Sequence, residues 1–283
     1  MSLGVLNNIS AIYAQNNLNQ TQMSLQNTLT QLSSGSRINS GADDAAGLAL
    51  ADGLRANVAA LTQSAQNASA GVGMLQTADG ALAQVTNLLN RAVTLATEAA
   101  NGTLNTSQVS SADQEYQNIL TEIGNIGSKT NYNGNAVFSA TAVNVFVSDG
   151  TSSGASTFAE TVGALTTASV GTTSGGGAGA DLTASATLDS TTASGILTTL
   201  TAAVQDVAYQ RGTIGANINQ LNAAANVANT QSVNLSSAEN NIRATNYGQA
   251  TSDMAKFKVL SQTGIAALSQ ANAVQQDVLK LLQ

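Results

Sequence analysis

The chain has 283 residues, enough for one large domain or two ordinary ones, yet it contains no Cys, His, Pro or Trp and only 9% of its residues are charged. Without thiol or imidazole there is no disulfide, no Cys nucleophile and no His base or ligand, so most hydrolase and transition-metal constellations are excluded and no cofactor is expected. The net charge of −7 comes without any basic cluster, which argues against nucleic acid or an anionic membrane as a partner.

No apolar run approaches the roughly eighteen residues of a membrane span. The first basic residue is Arg37, too late for the positive start of a secretory leader, so export would need a route without a cleaved signal. Amides take the place of charge. The 29 Asn and 22 Gln can hydrogen-bond inside an assembly without the desolvation penalty of ions.

Residues 1–36 contain no Asp, Glu, Lys or Arg. Leu18, Leu25 and Leu32 fall seven apart with Leu29 on the same stripe, a helical spacing with coiled-coil character. Ser40-Gly41-Ala42-Asp43 reads as the capping box of the next helix, and Asp43 and Asp44 suit its positive end. From Leu54 to Ala99 apolar residues step by three and four, which predicts a helix roughly 70 Å long. A phase slip near Ala78–Gly80 predicts a kink or local unwinding there. Asn101-Gly102 ends this helix, and a shorter one over about 110–126 carries Tyr116, Leu120 and Ile123 on one face.

The character then changes. Val143, Val145 and Val147 alternate before Asp149-Gly150, and a second β-like run reaches Phe158 and Val162, so a hairpin is expected. Residues 151–200 are dense in Gly, Ser, Thr and Ala, with Thr172–Ala180 read as a flexible turn or linker. Helical spacing resumes at Ile196 and continues past Ile242. In the last segment Ile265, Leu268, Leu279 and Leu282 form the apolar stripe, with Asn272 and Gln275 at intervening seam positions.

The predicted fold is mainly α. The N- and C-terminal segments pair as an elongated antiparallel helical bundle or coiled coil, and a small β-hairpin is inserted in the middle. The assembly seams are assigned to Leu18, Leu25, Leu29, Leu32, Ile265, Leu268, Leu279 and Leu282. Since one apolar stripe suffices for a pair, a neutral second face is best explained by contact with further copies of the chain. Catalytic readings fail: Asp43-Asp44 serves a helix start, Gly71-Val72-Gly73 lacks the third glycine of a dinucleotide loop, and Gly175–Gly177 lacks the Lys-Ser/Thr of a phosphate loop. A structural role is expected, not an enzyme.

Leu32-Ser33-Ser34-Gly35-Ser36-Arg37-Ile38-Asn39-Ser40, followed by Asp43-Asp44-Ala45-Ala46-Gly47, closely resembles bacterial flagellin. The likeness continues in Gln15-Asn16-Asn17-Leu18-Asn19, in Ala99-Ala100-Asn101-Gly102-Thr103 and in Leu268-Ser269-Gln270-Ala271-Asn272. It covers about residues 1–150 and 196–283. The resemblance implies a filament subunit for swimming motility, extracellular in the flagellum and exported through the flagellar type III apparatus. It further implies an inner core domain from residues 1–43 and 243–283. The outer core domain is then 44–242, with a hairpin over about 136–165 and a Gly/Ser/Thr-rich connection over about 166–195. Partners implied are copies of the chain, an export chaperone on the C-terminal segment, hook-associated and cap proteins, and the vertebrate flagellin-sensing Toll-like receptor. Arg91, Leu95 and Glu115 match that receptor contact and also fall in the outer-core interface, while one flanking basic position of the family is Val93 here. The alternatives are a hook–filament junction protein and a secreted coiled-coil adhesin or binding module.

Overall fold

A computed structural model of the chain describes residues 8–149, 157–174, 176–183 and 187–281. Five helices are present among them: α1 (Ile9–Ser34), α2 (Ala45–Ala100), α3 (Thr106–Lys129), α4 (Ala193–Arg243) and α5 (Tyr247–Leu281). Between α3 and α4 lie six short strands: β1 (Asn131–Tyr132), β2 (Asn135–Ala136), β3 (Val143–Phe146), β4 (Thr157–Glu160), β5 (Val170–Thr172) and β6 (Ala178–Ala180). They form three antiparallel pairs, β1–β2, β3–β4 and β5–β6. The chain divides into two compact units: residues 1–56 with 234–283, and residues 57–233.

In the first unit the ends of the helices are set by local chemistry. The Asn8 side chain accepts a hydrogen bond from the Ala11 amide and caps α1. Gly35, at φ +70°, closes α1 in the left-handed conformation that a residue with a Cβ resists, and its N–H donates to the Gln31 carbonyl. The residues after α1 then pair with the break between α4 and α5. Arg37 N–H donates to the Arg243 carbonyl at 2.6 Å, Thr245 N–H to Gly35 at 3.0 Å, and the Arg37 guanidinium to Ile242 at 2.9 Å. These bonds use carbonyls and amides that the interrupted helices leave without intrahelical partners.

The start of α2 differs from the expected capping box. Asp44, not Ser40, is the cap: its carboxylate accepts from the Gly47 amide at 2.8 Å. Asp43 instead closes the preceding turn, accepting from the amides of Asn39 and Ser40, and these bonds lower its pKa. The helix also runs unbroken through Ala78–Gly80. Leu75 and Leu82 are one heptad apart, and the small Ala78, wholly buried, holds the seam position between them, so the phase never slips.

The second unit has a true core. Leu75, Leu82, Val85 and Leu89 of α2 meet Tyr116 and Ile123 of α3, and Leu200, Val207 and Leu221 of α4, all fully buried or nearly so. α3 begins with a reciprocal capping box between Asn105 and Gln108. The β3–β4 hairpin pairs Val145 with Phe158, and Val145 packs over Gly71, where an added Cβ would stand 3.0 Å from both Val145 and Leu221. Ser64 and Asn67 of α2 donate to the Ser148 and Phe146 carbonyls, fixing the hairpin's end.

Thr172–Ala180, expected as a flexible linker, instead takes part in the β5–β6 hairpin. Its anchors are Val170 and Leu182, both fully buried but twelve residues apart, a spacing no local periodicity reveals. Gly171 has φ +81°, and a Cβ there would lie 2.5 Å from the backbone of Asp206 and Val207 on α4. The glycine that looked like linker composition is what lets the strand lie on the helix. We expect Gly171→Ala to destabilise this unit by about 1–3 kcal/mol. Gly80→Ala, in an exposed helix interior with open space around it, should stabilise by up to ~1 kcal/mol. Chemical denaturation of the two variants checks both signs.

Candidate assembly surfaces

In the first unit α1 and α5 pack against each other in antiparallel sense. The Asn8 side-chain amide donates to the Ala271 carbonyl at 3.0 Å, Leu18 lies over Gly264, and Thr245 beside α5 reaches the Gln31 carbonyl at the far end of α1. The less exposed positions run Ala11, Ala14, Leu18, Thr21, Leu25, Thr28 and Leu32 on α1, and Ala250, Met254, Phe257, Ser261, Gly264, Leu268 and Ala271 on α5. Both series alternate by three and four, the seam geometry of a two-helix coil.

That seam is narrow. In the whole first unit the only buried described residues are Thr28, Ile38, Ala51, Thr245 and Ala250, and of these only Ile38 and Ala51 are fully so. Gly264, Ser261, Thr21 and Thr28 bring the two backbones together without supplying apolar bulk. Leu18, Leu25, Leu32, Met254, Phe257 and Leu268 supply bulk but stay only partly buried, and further bulk faces outward. Ile9, Ile12, Tyr13, Met23 and Leu29 of α1, and Val259, Leu260, Ile265 and Val274 of α5, are all between 43% and 67% exposed.

Among the sequence-assigned residues, Leu18, Leu25, Leu32 and Leu268 lie on the mutual seam. Leu29 and Ile265 lie on the outward face, each one residue past a seam position, Thr28 and Gly264, and so turned about 100° away. Asn272 follows the seam residue Ala271 and is likewise exposed rather than intervening in the seam. The side chains of Gln275 and Leu279, and all of Leu282, lie outside the described residues. Sequence reasoning passed over Ile9, Ile12, Tyr13 and Met23. Their signal was available as apolar residues off the heptad phase.

The second unit carries the other assigned set. Arg91 of α2 and Glu115 of α3 form a two-pronged pair, Nε to Oε1 at 2.6 Å and Nη2 to Oε2 at 2.9 Å, with about half of each side chain exposed. The hydrogen bond from Arg91 holds the Glu115 carboxyl below its ordinary pKa, and the same bond raises that of Arg91. Leu95 is different. It is 2% exposed, on the core-facing stripe with Ala92, Ala96 and Ala99, so in this fold it offers a partner no side-chain surface.

Groups suited to chemistry are scarce among the described residues. The Tyr116 hydroxyl is buried without a partner, and burial together with nearby Asp113 pushes its pKa up to about 12, which keeps it neutral. A cleft of about 460 Å3 beside β5–β6 and α4 is lined by Gly, Ala, Ser, Thr, Tyr209, Gln210, Val162 and Ile214, none of them charged.

Residues 5–143 match the family model of the bacterial flagellin N-terminal helical region, and residues 197–282 match that of the bacterial flagellin C-terminal helical region. The chain belongs to the bacterial flagellin family. It is 32% identical to a flagellar filament 33 kDa core protein of Treponema phagedenis, with 98% of both chains covered. Flagellin 1 of Proteus mirabilis is 41% identical over 51% of this chain and 40% of its own. A crystal structure of Bacillus cereus flagellin aligns over 62% of this chain and 94% of its own, with 29% identity and a TM-score of 0.47.

In this flagellin the close approach of Leu18 to Gly264 tests the seam directly, since a Cβ at position 264 would already stand 3.2 Å from the leucine. We expect Gly264→Leu to part α1 from α5 and to raise amide exchange in both helices at least about tenfold, leaving the α2–α3–α4 core unchanged.

Proposed function

We propose that this chain is a structural subunit that self-assembles into a bacterial flagellar filament, in which outward faces of α1 and α5 from many copies cover one another. One observation carries the reading. Nine large apolar side chains on two paired helices stand in water, while eight of the fourteen seam positions between those helices are Ala, Gly, Ser or Thr and the six larger ones stay only partly buried. Exposed apolar surface of this kind marks an interaction site, and its burial is worth ~25 cal/mol per Å2.

Charge supports the same reading. The first unit holds six basic and six acidic residues and is neutral, whereas the second holds three basic and ten acidic and carries the whole −7. A neutral terminal unit can be stacked on copies of itself without accumulating repulsion, and an acidic second unit keeps the free chain soluble. The family and the flagellar filament core protein of Treponema phagedenis, similar over nearly the full length, point the same way.

On this reading the flagellum outside the cell is the place of action, and copies of the chain are the principal partner. An export chaperone on the C-terminal segment and hook-associated and cap proteins at the polymer ends follow from the same role. The absence of Cys and Pro favours a chain that travels unfolded, since neither disulfides nor slow prolyl isomerisation would delay it. A receptor contact on the second unit would use Arg91 and Glu115, with Leu95 acting through the packing beneath them.

Purified chain mixed with short polymer seeds should elongate, seen by electron microscopy. The double variant Leu29→Asp, Ile265→Asp should not elongate, while its second unit unfolds at the same denaturant concentration as in the parent chain. Elongation of the variant at the parental rate would remove the outward faces from the mechanism.

A further inference from the structure

The sequence contains two Asn-Gly dipeptides, Asn101-Gly102 and Asn133-Gly134, and the fold treats them in opposite ways. In such a pair the backbone nitrogen of the glycine can attack the Asn side-chain carbonyl carbon. An N–C bond forms, the C–N bond to the side-chain nitrogen breaks, and ammonia leaves. The resulting five-membered imide adds water at either carbonyl and opens to aspartate or to isoaspartate. No oxidant or enzyme is needed. What is needed is freedom for the Asn-Gly link to rotate, and a glycine nitrogen that can be reached and can lose its proton.

Asn133 and Gly134 lack that freedom. They are the two residues connecting β1 to β2, at φ +50° and +82°, and Tyr132 and Asn135 pair directly across them. Two positive φ values in a two-residue hairpin define the tight turn for which Asn-Gly is preferred. Ring closure requires the link to rotate out of this turn, so the hairpin must open first.

Asn101 and Gly102 have it. α2 ends at Ala100, and α3 begins only at Thr106 behind its own cap at Asn105. Residues 101–103 are exposed, and a Cβ on Gly102 would meet nothing within 4 Å. The Asn101 amide donates to the Glu98 carbonyl at 3.1 Å, and Thr103 N–H donates to the Asn101 carbonyl. Both bonds are local to the frayed end of α2, and the Asn101 side chain makes no hydrogen bond among the described residues.

We propose that Asn101 is a site of spontaneous deamidation in the folded protein, while Asn133 is protected by its hairpin. The inference does not rest on the assembly reading. Its product is a carboxylate at the C-terminal end of α2, three residues from Glu98, where the helix dipole already disfavours negative charge. Net charge moves from −7 to −8, within the unit that already has ten acidic residues against three basic. A subunit fixed in a long-lived polymer would accumulate this change and carry a record of its age.

The test is peptide mapping by mass spectrometry of full-length chain aged at neutral and mildly alkaline pH, with enzymatic methylation of isoaspartate as a second readout. Asn101 should convert at least about tenfold faster than Asn133, the factor given by even a small hairpin-opening free energy. The rate should rise with pH as the glycine nitrogen loses its proton more readily. Gly102→Val, which shields that nitrogen at a roomy surface position, should suppress conversion. In denaturant the two sites should convert at similar rates. Equal rates in the folded chain, or an Asn101 that persists folded while both sites convert unfolded, would overturn the proposal.

Discussion

Two long helices must pay for their own ordering, and in the first unit the contact they make with each other buries too little apolar surface to do so generously. Ile38 is the one large apolar side chain fully buried there among the described residues, whereas the second unit buries Leu75, Leu82, Leu89, Leu200 and Leu221 in one continuous core. Tertiary packing of an apolar face, rather than propensity, stabilises most protein helices. The seam leucines of α1 and α5 are only partly buried, and nine further large apolar side chains lie on the outer faces. The arrangement makes sense if the missing packing comes from other copies.

The absence of charge over residues 1–36 follows from that constraint. An ionised side chain brought into a subunit–subunit seam must be paired or pay for desolvation. Ser, Thr, Asn and Gln avoid the problem and satisfy themselves locally. Along α1 the hydroxyls of Thr21, Ser24, Thr28 and Thr30 each donate to the carbonyl four residues back. Among the described residues the shortest ion pairs are in the second unit, where Arg91–Glu115 ties α2 to α3 and Arg211–Asp79 ties α4 to α2, at 2.6 and 2.7 Å. In the first unit Arg243 makes looser pairs with Asp52 and Glu239.

Much of the helical architecture was legible because 3–4 spacing survives wherever one face is buried. The α3 stripe of Tyr116, Leu120 and Ile123 is buried as its spacing implies, and the β3–β4 hairpin lies where valines alternate. Small residues defeated the pattern. Ala78 hid the continuity of α2, and Thr28 and Gly264 occupy seam positions that the neighbouring Leu29 and Ile265 seemed to fill. Periodicity counts apolar bulk, but close backbone approach selects for its absence. The β5–β6 hairpin was illegible for a related reason, because Gly171 is required by the proximity of α4, which only the tertiary structure supplies. Leu95 shows the converse limit: a residue matched by family likeness to a surface contact turned out to belong to the core.

Amide hydrogen exchange, followed in the free chain and in the polymer, bears most directly on the idea that α1 and α5 complete their packing only against further copies. In the free chain, amides of residues 9–34 and 247–274 should exchange far faster than those of the α2–α3–α4 core, and polymerisation should slow them toward core values while leaving the core unchanged. Terminal helices already protected to the level of the core in the isolated chain, with no further slowing in the polymer, would contradict the account.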